Sequence, residues 1–114
     1  MITGVHTLVY SRHAEAVREL LRDTIGWPHV DTGGGWLIFA LPPTELAVHP
    51  TDGPAVHELT LMCDDIRATM DELTAKGVEF VTPVSDEGWG LVTRFRLAGD
   101  ETMMLYEPRH PTPR

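Results

Sequence analysis

Apolar and polar residues alternate along short stretches of the chain, and twice this alternation gives way to a helical spacing. Residues 4–10 alternate and are rich in residues that favour strands, so they predict a strand. In residues 14–26 the apolar positions fall on one side of a helix, and Gly26 supplies the flexible residue at which helices often end. The first 26 residues therefore predict a strand followed by a helix.

Three further short strands are predicted in the first half of the chain. They cover residues 28–31, 36–40 and 44–49, and the glycines at 33–35 form a turn between the first two. The second half repeats this order. A strand at 57–62 leads to a helix that begins at Asp64 or Asp65 and ends at Gly77, and strands follow at residues 78–84, 91–97 and 102–106.

A repeated dipeptide marks the two halves. Val5-His6 and Val56-His57 each open an apolar stretch, and each histidine lies at the same offset from the glycine that ends the following helix. We interpret the chain as one domain, residues 1–114, of the α+β class. It comprises two βαβββ modules at 4–49 and 56–108, a linker at 50–55 and a flexible tail at 109–114. The curved mixed sheets are expected to form a cup, with the helices on the outer faces.

Composition narrows the classes of partner. A net charge of −8 with a single lysine disfavours nucleic acid, which requires a basic face. No apolar run approaches the roughly 18–20 residues of a membrane span, and the first residues do not resemble a signal peptide. A single cysteine excludes an internal disulfide framework. We expect a cytoplasmic protein whose partner is a small molecule.

The doubled βαβββ order, with a histidine in the first strand of each half, resembles the vicinal oxygen chelate superfamily. That family includes glyoxalases, extradiol dioxygenases and bleomycin resistance proteins. The resemblance covers residues 4–108, and it implies that His6 and His57 bind a divalent ion (Zn, Ni, Mn or Fe), although some members use none. Two imidazoles and one or two carboxylates suit these metals, which polarise neighbouring oxygens of a substrate or activate dioxygen.

The resemblance also implies carboxylate ligands on the fourth and eighth predicted strands. On the fourth strand Glu45 is the natural ligand and catalytic residue, with His49 in reserve as a ligand or substrate contact. On the eighth strand the family places a glutamate four residues before a proline, where this chain has Met104. Glu107 lies on the alternate face. Either the strand is shifted and Glu107 points into the cup as a ligand or base, or the site has lost a ligand.

Aromatic and sulfur-containing side chains supply a candidate ligand pocket. Trp36, Trp89, Tyr106 and Met104 can provide an adaptable apolar surface, and Trp89 lies between two glycines. Two functions follow from the resemblance. The first is a metal-dependent lyase, isomerase or dioxygenase, and the second is a metal-free protein that sequesters an antibiotic-like molecule. Short members of the family are expected to form homodimers, with each site built within one chain or across two.

Overall fold

The structure is a computed structural model that describes residues 6–54 and 56–113. Some predictions extend beyond these residues. Gly4 and Val5 at the start of the first predicted strand, Ala55 in the predicted linker and Arg114 in the predicted tail lie outside the described residues.

Both predicted helices are present, and each ends at its predicted glycine. α1 spans Ala14–Glu19 and continues as a π-helical segment, Leu20–Ile25, that stops at Gly26 with φ of 80°. α2 spans Ile66–Ala75. Asp65 caps α2, because its side chain accepts a hydrogen bond of 3.0 Å from the Ala68 backbone N–H. Gly77, with φ of 95°, follows its last turn.

The strands form two separate sheets. β1 (His29–Asp31) and β2 (Leu37–Phe39) make an antiparallel hairpin in the first half. The second half holds a four-stranded sheet in the order β3-β6-β5-β4, in which β3 runs parallel to β6 and the other pairs are antiparallel. Its strands are β3 (Leu61–Met62), β4 (Ser85–Asp86), β5 (Gly90–Ala98) and β6 (Glu101–Pro108).

Several predicted strands lack a strand partner. Among the described residues, 6–10 and 44–49 form no strand, and the prediction at 78–84 is reduced to a single bridge between Phe80 and Phe95. A strand is stable only when neighbouring backbone groups satisfy its N–H and C=O groups, and among the described residues the first sheet consists of β1 and β2 alone. In 6–10 and 44–49 large apolar side chains remain exposed, as Leu8 (63%) and Leu46 (90%) show.

The hydrophobic core lies between α2 and one face of the four-stranded sheet. Phe95, Met103 and Leu105 of β5 and β6 pack with Ile66 at the start of α2 and with Val78. The architecture is therefore α+β, with two helices and open sheets. No helix within the described ranges is long and apolar enough to cross a membrane.

Candidate functional site

The two faces of the four-stranded sheet differ in what covers them. In the β5–β6 register, Thr93 pairs with Leu105 and Phe95 with Met103, and these four residues are buried on the α2 side. Successive residues of a strand point to opposite faces, so the alternate pairs project away from α2. We call this second surface the open face. Its β5 and β6 residues are Val92, Arg94, Arg96, Thr102, Met104 and Tyr106.

An aromatic cluster occupies one end of the open face. The ring of Tyr106 lies 5.4 Å from that of Trp89, in an edge-on arrangement, and 5.9 Å from that of His110. The Tyr106 hydroxyl is 3.2 Å from Nε2 of His110. Glu45 reaches the same cluster, with Oε1 4.0 Å from that Nε2. We call Glu45, Trp89, Tyr106 and His110 the aromatic corner.

The tyrosine hydroxyl of the aromatic corner lies in a partly buried site near a carboxylate. Burial, and then the neighbouring carboxylate of Glu45, raise the pKa of Tyr106 above its ordinary value. The phenol places a hydrogen-bonding group at the edge of an apolar surface. Trp89 adds an indole that is 46% exposed. Such a surface suits the ring of an aromatic ligand, with one polar atom to orient it.

A glycine on β5 and the contacts of Arg109 in the tail hold the aromatic corner in place. Gly90 on β5 leaves room for the tyrosine, because a Cβ there would lie 3.0 Å from Cδ2 of Tyr106. The Arg109 backbone N–H donates to the Trp89 carbonyl at 2.9 Å, and the Arg109 side chain pairs with Asp86 at 3.0 Å. The start of the predicted flexible tail is thus tied to the sheet, and these contacts bring His110 to Tyr106.

A polar cavity lies at the other end of the open face. It has a volume of about 210 Å³. The Arg94 Nε donates to Oγ1 of Thr102 at 3.0 Å, which orients the guanidinium along the sheet. Met104, which borders this cavity, lies two residues before Tyr106 on β6. Its walls are formed by Glu58, Leu59, Thr60, Arg94, Thr102, Met103 and Met104.

Glu107 lies on the α2 side of the sheet. Its Oε1 accepts a hydrogen bond of 3.0 Å from the backbone N–H of Ile66, the first residue of α2. A carboxylate at a helix N-terminus satisfies a backbone donor that has no partner within the helix. Met104 lies on the open face instead. Of the two registers considered for the eighth predicted strand, the structure shows the one that places Met104, and not Glu107, on the face away from α2.

In the second Val-His pair, the exposed His57 lies four residues before β3 and is not among the residues that line the polar cavity. Leu59 and Leu61 pack against the core on the α2 side, and His57 has the same parity as these leucines along the chain. The alternate residues Glu58 and Thr60 line the polar cavity. Glu58 thus borders the cavity that Met104 also lines, together with its neighbours Leu59 and Thr60.

The helical stretches of the two halves differ in length by one residue. From the N-cap His13 to Gly26 is thirteen positions, whereas from the N-cap Asp65 to Gly77 is twelve. The π-helical segment accommodates an extra residue of this kind. His6 lies seven positions before the first N-cap, His13. In the second half, the residue seven positions before the N-cap Asp65 is Glu58 and not His57. One residue of offset reverses the face of a strand.

The remaining predicted site residues are exposed in the first half or near the linker. His6 lies in the segment 6–10, and His49 in the stretch before the linker. Trp36 is 68% exposed beside the β1–β2 hairpin, where the Arg18 guanidinium lies 5.1 Å above its ring. Among the described residues, no hydrogen bond or ion pair joins His6 or His57 to a carboxylate. Their roles remain predictions.

The donors present do not fit the metal site that the resemblance implies. Glu107 is engaged on the α2 side while Glu45 lies in the aromatic corner, so the two carboxylates cannot bind one ion together. Within the described ranges, no three His, Cys, Asp or Glu side chains come together as a metal site would require.

Three residues of the open face were not predicted from the sequence. Glu58 follows His57 and was hidden by the apparent repeat, although counting from the helix N-cap would have found it. Arg94 alternates with buried Thr93 and Phe95, which signals a residue on the opposite face. His110 lies among prolines, a pattern typical of a frayed tail, and no sequence signal identified it.

Comparisons with known proteins agree with this fold. The family model described as Glyoxalase/Bleomycin resistance protein/Dioxygenase superfamily matches residues 5–108. Among curated proteins, none is similar enough in sequence to count as a match. Two solved structures are similar at low identity, and they support the fold alone.

The first of these structures is TnmS3, an antibiotic binding protein from Streptomyces sp. CB03234. It is 21% identical, with a TM-score of 0.61 over 95% of this chain and 99% of that chain. The second is a glyoxalase/bleomycin resistance protein/dioxygenase from Nocardioides, 18% identical, with a TM-score of 0.60 over 98% of this chain and 91% of that chain. The match of the family model over nearly the whole chain shows that this protein belongs to the glyoxalase/bleomycin resistance protein/dioxygenase superfamily.

Proposed function

We propose that this protein binds and sequesters an aromatic small molecule on the open face, without using a metal ion. The observation that carries the proposal is the position of Met104. It places an apolar thioether two residues before Tyr106, whose ring packs against Trp89, on the strand where a metal-using relative is expected to present a carboxylate. A surface of aromatic rings and a thioether favours an aromatic ligand, because it buries much apolar area when the ligand binds. The similarity to an antibiotic binding protein is in keeping with this function.

The sequence alternative, a metal-dependent lyase, isomerase or dioxygenase, has less support. Its proposed ligands are His6, Glu45, His57 and Glu107. Glu107 holds the start of α2, and His57 has the parity of the core side. This arrangement therefore supports no reaction step that depends on a metal ion bound by these residues.

Ligand binding is tested with 2-naphthol, a neutral fused-ring probe, and protein labelled with ¹³C in the methionine methyl groups. We expect the Met104 methyl signal to shift saturably and the Met103 signal to stay, because these side chains lie on opposite faces of β6. Trp89→Ala should weaken binding about tenfold, since an aromatic pair contributes about 0.5–1.5 kcal/mol beyond the area that it buries.

The control for this test is Trp27→Ala, which removes an indole at the end of the first helix, outside the open face. It should leave the affinity for 2-naphthol unchanged. The Met103 signal reports in both variants whether the core is intact. The proposal is wrong if 2-naphthol moves the Met103 and Met104 signals equally, or leaves the Met104 signal where it is at saturating probe.

Metal content separates the two functions directly. We expect protein purified without a metal-binding tag to contain far less than one divalent ion per chain, before and after incubation with Zn, Ni, Mn or Fe(II), because its carboxylates do not converge. Elemental analysis measures this, with a His6→Ala/His57→Ala double variant as the reference. A stoichiometric ion that disappears in the double variant would support the metal-dependent enzyme instead.

We further propose that two copies of the chain assemble as a homodimer and complete the two-module cup. The segments 6–10 and 44–49 have the alternation of strands but no strand partner among the described residues. Val48 (89% exposed) and Leu46 (90%) would be covered if a second copy paired with them. The sheet of the first module would then gain the strands that the pattern predicts.

Light scattering coupled to size-exclusion chromatography tests the assembly. We expect a mass about twice the 12.7 kDa of one chain. The double variant Leu46→Ser/Val48→Ser should shift the protein toward the monomer, because each substitution removes apolar area from the contact. Val30→Ser is the matched control, since Val30 is also exposed (61%) but already lies in a paired strand. A monomeric wild-type protein at high concentration would contradict the proposal.

A further inference from the structure

Two unpaired charges of opposite sign line the polar cavity of the open face. Arg94 and Glu58 both border this space of about 210 Å³. Neither forms an ion pair with a described residue, and they do not pair with each other. Two other arginines of the second half are neutralised, Arg96 by Glu79 at 2.9 Å and Arg109 by Asp86 at 3.0 Å. The cavity is therefore unusual in this sheet because its charges remain available.

The guanidinium of Arg94 is oriented but not saturated. Its Nε donates to Oγ1 of Thr102 at 3.0 Å, and among the described residues its two terminal nitrogens have no hydrogen-bond partner. A fixed guanidinium with both terminal nitrogens available matches the two oxygens of a carboxylate. The side chain is half-buried, so an anionic partner there is screened less than one at an exposed site.

The carboxylate of Glu58 is a complementary acceptor. An ionised carboxylate only accepts hydrogen bonds, so a ligand group beside it must donate. An ammonium group satisfies this requirement and the charge together. Because Glu58 and Arg94 face one cavity without touching, a group that carries a carboxylate and an ammonium side by side complements both.

The spacing along the sheet connects this cavity to the aromatic corner. Arg94 lies opposite Met104, and Tyr106 is two residues further along β6. Two residues of a strand span about 7 Å. A ligand with an aromatic ring joined to its polar group by a short linker would therefore contact both ends of the open face at once.

We propose that the polar cavity recognises an amino-carboxylate group on the ligand, with the carboxylate on Arg94 and the ammonium on Glu58. This inference rests on the proposed function, because it assigns the polar end of a ligand whose aromatic end lies on Tyr106 and Trp89. The ligand class is an aromatic amino acid or a small molecule with an amino-acid terminus. Arg94 and Glu58 are its specificity-determining residues.

The test uses three naphthalene probes of similar size. They are 3-(2-naphthyl)-L-alanine, which carries both charges, 2-(2-naphthyl)ethylamine, which lacks the carboxylate, and 3-(2-naphthyl)propionate, which lacks the ammonium. Affinities are measured from the shift of the Met104 methyl signal. We expect the amino acid to bind about tenfold more tightly than the amine, because its carboxylate meets the half-buried Arg94, and more tightly than the propionate by a smaller factor, because Glu58 is exposed.

Variants assign the discrimination to the two residues. Arg94→Gln should abolish the preference for the amino acid over the amine, and Glu58→Gln should abolish its preference over the propionate. Arg67→Gln is the control, because Arg67 is an exposed arginine of α2, outside the open face. It should leave both preferences intact. A urea unfolding midpoint like that of the wild type shows that each variant is folded.

The outcomes separate this inference from the proposed function. If 2-naphthol binds but the three charged probes have equal affinities, the amino-carboxylate site is wrong and the aromatic site stands. If the wild-type preferences persist in Arg94→Gln and Glu58→Gln, the recognition lies elsewhere and the assignment is overturned. If neither 2-naphthol nor the amino acid shifts the Met104 signal, both proposals fail together.

Discussion

Replacing Glu107 with alanine should lower the free energy of unfolding by about 1–3 kcal/mol, the cost of leaving a partly buried backbone donor unsatisfied. The Glu107 carboxylate accepts from the Ile66 N–H at 3.0 Å, and Ile66 is 1% exposed at the centre of the core. Loss of the carboxylate therefore affects both the first turn of α2 and its contact with β6. Thermal or urea unfolding at fixed protein concentration measures the change, and the melting temperature should fall by several degrees.

Two further variants assign this loss to the hydrogen bond. Glu107→Gln keeps a side-chain oxygen at the helix N-terminus, so it should lose only part of the stability. Glu72→Ala removes an exposed carboxylate on the same helix, whose pair with Lys76 at 3.6 Å is worth at most about 0.5 kcal/mol. An alanine variant at 107 as stable as the wild type would show that its carboxylate does not hold α2. The sequence prediction that Glu107 serves the cup would then regain support.

The helices and the fold class could be predicted because their signals are local. One apolar stripe, an N-cap residue and a glycine define each helix within about a dozen residues. Asp65 and Gly26 have the predicted roles because an N-cap and a left-handed residue depend only on adjacent backbone. The α+β class follows from the same local patterns.

The face of the strand on which each residue lies was harder to predict, because it depends on the exact number of residues between elements. The equal spacing of His6 and His57 from their glycines passes through helices that differ by one residue. The π-helical segment accommodates an extra residue in the first half, and an offset of one residue moves a strand residue to the opposite face. Glu58 borders the polar cavity, while the role of His57 stays a prediction.

The register of the eighth predicted strand could not be predicted from alternation alone, because it also depends on the elements that pack against the strand. Met104 and Glu107 alternate, so the sequence permits either to face the cup. Packing decides between them, because Met103 and Leu105 are buried against α2 and carry Glu107 to that side. The unpaired segments 6–10 and 44–49 show a related limit. Alternation predicts a strand, but only a neighbouring strand, from this chain or from a second copy, can satisfy its backbone.

Replacing Gly90 with alanine should disrupt the aromatic corner and destabilise the fold. A Cβ at this position would lie 2.9 Å from the Glu107 backbone oxygen and 3.0 Å from Cδ2 of Tyr106. Neither neighbour can move freely, because the oxygen belongs to the paired strand β6 and the ring is packed against Trp89. Overpacking of this kind costs about 1–3 kcal/mol.

The same substitution should also weaken the binding of 2-naphthol, because the tyrosine ring must turn away from β5 to relieve the contact. Gly53→Ala is the matched control: its Cβ would meet only Oγ1 of Thr51 at 3.6 Å, an ordinary contact. Urea unfolding and the Met104 methyl shift measure the two effects on the same samples. Loss of stability without loss of affinity would show that β6 yields while the ring stays. Loss of both would show that the close approach of Tyr106 to Gly90 shapes the surface on which the ligand binds.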